Sequence, residues 1–143
     1  MLFEDVPIEY GSELDVFEER TTLSTGDSHL DEFLNIKRGI SLMIAGPAYT
    51  GKTTLALSLS LEAVLRGNKV FYIDTEYGVF GDRIVQMCSS RNMSINLAKR
   101  RMRVVRVNEL DRLLKYLEYA CNEYDLIVVD SISRLILKGI SPK

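Results

Sequence analysis

Apolar residues fall into two patterns along the chain. Four short stretches, 40–45 (ISLMIA), 69–74 (KVFYID), 102–107 (MRVVRV) and 125–130 (DLIVVD), read as strands. The first, nearly continuous in apolar character, predicts a strand buried on both faces of a parallel sheet. Between them the apolar positions recur at helical spacing. Ser28 is placed to cap a short helix through Leu34, with Leu30, Phe33 and Leu34 on one face. A second helix is expected over 52–66, with Gly67 where a helix end wants a left-handed residue. A third covers 79–91, turning Phe80, Ile84, Val85, Met87 and Cys88 inward. Asn108 is placed to cap a fourth, in which Leu110, Leu113, Leu114, Leu117 and Cys121 recur at helical spacing. Asp111 stands in the capping-box position of that helix, where Glu or Gln is usual.

Strands alternating with helices predict an α/β, doubly wound domain with a mainly parallel sheet, because parallel strands need crossover helices and right-handed crossovers cover both faces. Residues 1–22 are acidic, broken by Pro7 and Gly11, and read as a lead-in segment, leaving 23–143 as the domain. Ligands in such folds sit at the carboxyl ends of the strands. The loop after Ala45, Asp74 to Gly78 and Asp130 all fall there.

Composition narrows the function classes. Of 143 residues, 46% are hydrophobic and 27% charged, which suits a globular domain and excludes a disordered tail. No apolar run is long enough to cross a bilayer, and the acidic start is no signal peptide, so the chain reads as cytoplasmic with no membrane partner. Cys88 and Cys121 read as small buried hydrophobes in a reducing compartment, and His29 as a surface residue. A net charge of −2 argues against strong intrinsic binding to duplex DNA and leaves weak or assisted binding open.

Gly46-Pro47-Ala48-Tyr49-Thr50-Gly51-Lys52-Thr53 satisfies G-x-x-x-x-G-K-[ST] between a buried strand and an apolar helix that continues with Thr54. The loop amides and the positive end of the helix suit a polyphosphate. Gly51 lets the backbone approach it, Lys52 reaches the β- and γ-phosphates, and the Thr53 hydroxyl is placed for Mg²⁺. Asp130 ends the apolar strand IVVD, where a carboxylate can hold the water shell of that ion opposite Thr53. Glu76, following Ile73-Asp74-Thr75, is a candidate for orienting an attacking water; from the residues alone a solvated loop acid remains the alternative.

GPAYTGKTT, FYIDTE and LIVVDS, preceded by LSTGDSHLDEFL, resemble the RecA/RadA recombinase family, especially archaeal RadB-like paralogs, over about Leu23 to Leu135. The resemblance implies a RecA-like P-loop fold, ATP bound between neighbouring protomers with Mg²⁺, and ATP-linked assembly on DNA. By position it implies that Glu76 is the catalytic glutamate and Arg83 the arginine flanking adenine; a helix-surface arginine is the alternative. Departures accompany it. The segment Asn35 to Ile40 is shorter than the family's glycine-rich approach to the P-loop strand, and Phe3-Glu4-Asp5-Val6 imitates the F-x-x-A assembly motif poorly. Nothing in SISRLILKGISPK resembles the DNA-contacting loops, so no DNA-binding residue carries over.

In the family the central strands run third, second, fourth, fifth, first. The fifth strand and the DNA-contacting loops beyond it have no counterpart here, so the core is expected to be incomplete. The fourth and first strands are then expected either to close directly on each other or to leave two open edges, so that the chain is marginally stable or associates with a second copy or with a partner completing the sheet; the tail from Ser133 to Ile140 is too short to reach the gap as a parallel strand. The basic cluster Lys99, Arg100, Arg101, Arg103 and Arg106 reads either as a phosphate-contacting patch or as a solvated helix end meeting a charge-guarded edge strand. Two functional classes emerge: a RecA-like ATPase module of a recombination or repair protein, and a regulatory subunit, KaiC-like or a non-catalytic recombinase paralog, with ATP as a switch. A fragment or split subunit is a third reading.

Overall fold

The computed structural model describes residues 22–79 and 81–140. Residues 1–21 of the lead-in, with Phe3 to Val6, and Phe80 lie outside the described residues. Helix α1 (Ser28–Leu34) is followed by the phosphate-type loop, then α2 (Lys52–Leu65), β1 (Val70–Asp74), α3 (Gly81–Ser89), α4 (Ile95–Arg101), β2 (Met102–Arg106), α5 (Leu110–Glu123), β3 (Leu126–Asp130) and α6 (Ile132–Ile140). The three strands form a parallel sheet in the order β2-β1-β3. This is the third–second–fourth order expected of the RecA-like sheet.

Register decides which side chains share a face. Tyr72 is paired with Val104 and Val128, and Asp74 with Arg106 and Asp130. Side chains alternate along a strand. Val70, Tyr72, Leu126 and Val128 therefore meet Leu57, Leu61 and Val64 of α2, with Cys88 of α3 and Ala98 of α4 in the same core. On the opposite face, Phe71, Ile73, Ile127 and Val129 pack with Leu113, Ala120 and Leu135 of α5 and α6. Helices thus cover both faces, and all of β1 is buried.

The expected strand at 40–45 does not form. The segment carries no ladder, and Ile40, Leu42 and Met43 are 56%, 42% and 83% exposed. A strand exists only where its backbone groups find partners. The family resemblance places the first strand beside the fifth, and among the described residues no strand stands in that place next to β3, so this stretch lacks the neighbour it would pair with. The tail, weighed as a strand, is helical: α6 buries Leu135 against the face of β1 and β3.

Smaller differences have local causes. Asp27, not Ser28, caps α1, accepting the amides of His29 and Leu30 at 2.9 and 3.0 Å. Asp31 is tied to Ser24 and Thr25, which fixes how the helix sits and turns Phe33 outward, 85% exposed. Glu109 rather than Asn108 precedes α5, with no side-chain capping bond. The inward stripe of α5 is Leu113, Tyr116, Leu117 and Ala120, leaving Leu110, Leu114 and Cys121 exposed. The ring of Phe71 draws that stripe round, since Tyr116, Tyr119 and Tyr124 lie 5.7, 5.9 and 4.9 Å from its centroid. Val85 is likewise exposed on α3, whereas Cys88 is buried.

Candidate nucleotide site

The loop after Ala45 leads directly into α2. Gly51 precedes that helix at φ +91°, a conformation that favours glycine, and no side chain caps the first turn. The opening amides of α2 are therefore left for an external acceptor, as at helix ends that take phosphate. The loop is closed on itself: Thr50 Oγ1 donates to the Pro47 carbonyl at 2.8 Å. A Cβ on Gly46 would stand 3.1 Å from that hydroxyl. Lys52 Nζ folds over the same loop, donating to the Gly46 and Pro47 carbonyls at 2.9 and 2.5 Å. Ala48 and Tyr49 are exposed at its tip.

A second layer comes from the ends of β1 and β3, adjacent strands in register. Asp74 is buried, and its carboxylate accepts the amides of Glu76, Gly78 and Val79 at 3.1, 3.2 and 3.1 Å. These three bonds shape the loop that presents Glu76. Thr75 and Ser131 are joined twice: Thr75 Oγ1 donates to the Ser131 carbonyl and accepts the Ser131 amide at 2.9 Å. Ser131 Oγ also donates to Glu76 Oε1 at 2.5 Å. Asp130, half-buried, accepts the Tyr72 hydroxyl on Oδ2 at 2.8 Å. Burial and the neighbouring Asp130 carboxylate push the Tyr72 phenol far above its ordinary range, so it is a donor throughout. From α3, Arg83 Nη2 donates to Thr54 Oγ1 on the first turn of α2.

Glu76, Ser131, Asp130, Arg83 and Thr54 are therefore held by hydrogen bonds around the carboxyl end of the sheet. No hydrogen bond or ion pair joins Thr53 or Lys52 to Asp130. The donors suit a hard cation: a threonine hydroxyl and a carboxylate are oxygen ligands of the kind Mg²⁺ takes. Among the described residues no group of three or more His, Cys, Asp or Glu gathers. An ion here would share its shell with water and phosphate oxygens, as Mg²⁺ commonly does.

Sequence reading placed Asp74 and Thr75 at the ligand end of the sheet without a role, and gave none to Tyr72 or Ser131. The signal was present in parity: Tyr72 and Asp74 are two apart and share the face of Asp130 once the register is known. The basic cluster does not form one patch. Arg101 is committed to the Gly67 carbonyl, and Arg103 lines a surface pocket with Tyr116 and Tyr119. Arg106, on the opposite face, lies over the Tyr77 ring at 5.5 Å and donates to the Val79 carbonyl at 3.4 Å.

The segment before α1 buttresses α2. Ser24 and Thr25 are buried and bind Asp31 at 2.5–2.6 Å, and Ser58 Oγ of α2 donates to the Thr25 carbonyl at 3.3 Å. Burial would raise the Asp31 pKa; the hydrogen bonds from Ser24 and Thr25, aided by Arg66, outweigh it and lower it.

A family model described as an AAA domain matches residues 38–138. The DNA repair and recombination protein RadB of Pyrococcus furiosus is 37% identical over 117 residues, covering 78% of this chain and 51% of that protein. The RadB protein of Thermococcus gammatolerans is 39% identical over 117 residues, covering 78% and 52%. That of Methanocaldococcus jannaschii is 39% identical over 103 residues, covering 71% and 48%. A solved structure described as the crystal structure of the RadB recombinase superposes with a TM-score of 0.65 at 34% identity, covering 77% of this chain and 51% of that one. The chain spans about half the length of the curated relatives it matches. No helix among the described residues is long and apolar enough to cross a membrane.

Proposed function

The chain belongs to the AAA-domain family and is a RadB-like member of the RecA/RadA recombinases, and from that premise we propose that it binds ATP with Mg²⁺ and hydrolyses it in DNA repair and recombination. The observation that carries this reading is the convergence of the uncapped start of α2 with the hydrogen-bonded ends of β1 and β3. The backbone of Gly46, Pro47, Ala48, Tyr49, Thr50 and Gly51 cradles the phosphates, with the amides of Lys52, Thr53 and Thr54 completing the cradle. Lys52 turns from the loop carbonyls to the β- and γ-phosphates. Thr53 and Asp130 hold Mg²⁺, which when bound offsets charge on the phosphate oxygens. Glu76 orients the attacking water, and Arg83 flanks the adenine. Work in the cytoplasm, assembly with a second copy or with a partner completing the sheet, and weak or assisted DNA binding belong to the same proposal.

Titration calorimetry with ATP, with and without Mg²⁺, tests the site. Lys52→Ala should lose most of the affinity, because it removes the cation that meets the phosphates. Asp130→Asn should lose the Mg²⁺-dependent part. An unchanged ATP affinity in Lys52→Ala would overturn the reading. Steady-state ATP hydrolysis with and without single-stranded DNA separates an ATPase from the second class, a nucleotide switch with little turnover. Glu76 bound to Ser131 is the observation that keeps that second class in view, since its carboxylate must be released before it can serve water.

A further inference from the structure

Tyr72 sits at the middle of the fully buried central strand, two residues before Asp74 and on the face that carries Asp130. Its ring packs in the core beneath α2, and its hydroxyl reaches past the end of that core to Asp130 Oδ2 at 2.8 Å. A buried phenol needs an acceptor, and a carboxylate on a strand end needs something to hold its rotamer. Each meets the other's need. Asp130 Oδ1 makes no hydrogen bond or ion pair among the described residues, so one carboxylate oxygen is committed to the core and the other is left for the site. Thr75 and Ser131 stitch the same two strand ends together one residue further on, so the carboxylate has a fixed base as well as a fixed head.

We propose that Tyr72 is a positioning residue for Asp130: its buried hydroxyl holds the carboxylate by one oxygen and so presents the other to a nucleotide-bound divalent cation. This rests on the proposed role of Asp130 and deepens it. Tyr72 touches neither nucleotide nor metal and acts through Asp130 alone. A tyrosine retained only for packing could lose its hydroxyl without any metal-specific effect.

The test compares wild type, Tyr72→Phe, Asp130→Asn and the double variant. The readout is ATP affinity by calorimetry in Mg²⁺ and in chelator. Phe keeps the ring and removes only the donor, so chelator affinity should stay at the wild-type value while the Mg²⁺-dependent gain falls about ten-fold, the loss of one hydrogen bond to a charged acceptor. Asp130→Asn should lose at least as much, and the double variant should be no weaker than Asp130→Asn, because both substitutions remove one unit. If Asp130→Asn loses the Mg²⁺ gain and Tyr72→Phe keeps it, the positioning role is wrong while the role of Asp130 stands. If Tyr72→Phe weakens binding equally in Mg²⁺ and chelator, the hydroxyl is structural and the inference falls. If Asp130→Asn keeps the full gain, the metal role of Asp130 falls and the inference with it. An independent measurement needs no variant to fold: the wild-type protein should show a slowly exchanging Tyr72 hydroxyl proton by NMR that shifts when Mg²⁺ joins bound ATP. A proton that does not respond to the metal overturns the proposal.

Discussion

Replacing Asp74 with asparagine should cost stability out of proportion to the size of the change. The carboxylate is 1% exposed and accepts three backbone amides, of Glu76, Gly78 and Val79. Asparagine has one oxygen where aspartate has two. With that oxygen kept toward Glu76 and Gly78, its NH₂ group faces the buried Val79 N–H, which loses its acceptor at a cost of about 1–3 kcal/mol. The two bonds that survive become neutral ones, roughly half as strong as charge-assisted bonds, for a further loss of about 1 kcal/mol. Relief from burying a charge offsets part of this, and losing the half-exposed Arg106, whose Nε stays 4.0 Å from Oδ2, adds little. The net expectation is a loss of about 2 kcal/mol, or roughly 8 °C in melting temperature at roughly 4 °C per kcal/mol. Urea denaturation followed by circular dichroism measures it. An unfolding free energy within about 0.5 kcal/mol of wild type, the range of an ordinary surface substitution, would refute the assignment of Asp74 as the anchor of this loop.

Glu76→Gln should keep ATP affinity and slow hydrolysis roughly a hundred- to ten-thousand-fold; turnover equal to wild type would reduce Glu76 to a loop acid. Asp31 has a folded pKa below its ordinary 3.8, so its stabilisation is present above the unfolded value and is lost as pH falls through the folded one. Asp31→Asn should therefore be less stable than wild type at neutral pH, with the gap closing in acid; a gap constant down to the most acid pH measured would contradict this. Gly67→Ala meets no neighbour within 4 Å of the added Cβ but stands at φ +87°, so it should cost about 1 kcal/mol from backbone strain alone. Unfolding curves matching wild type would show that the helix end relaxes.

The parts of this fold that could be read from sequence are those whose chemistry is local. KVFYID and DLIVVD carry enough apolar character to be strands of a parallel sheet, MRVVRV has the two arginines of its exposed edge, and the glycine–lysine loop announces the helix behind it. Of the helix Ile95–Arg101 the sequence shows only the solvated end at its three cations, because its seven residues hold no clear apolar stripe. The stretch 40–45 misled in the other direction: its residues favour a strand, but pairing is supplied by neighbours and cannot be seen in the stretch itself. The same limit governs the site. Gly46, Gly51 and Lys52 are recognisable by spacing. The bond from Tyr72 to Asp130 spans 58 positions and exists only because β1 and β3 are adjacent and in that register. Phe71 rotated the inward face of α5 by a similar long-range route, through rings that no helical wheel includes.

The two flanks of the sheet leave a signature in time as well as in space. Along a parallel strand, alternate residues direct their backbone groups to opposite neighbours. In β1, flanked by β2 and β3, every such group has a ladder to enter. In β3 only the groups facing β1 do among the described residues, so protection from hydrogen–deuterium exchange should alternate residue by residue along Leu126–Asp130 and run unbroken along Val70–Asp74. A strand laid along the outer flank of β3, from whatever source, would erase that alternation. The exchange pattern thus reads the occupancy of this flank directly, in the absence of nucleotide and without any assay of activity.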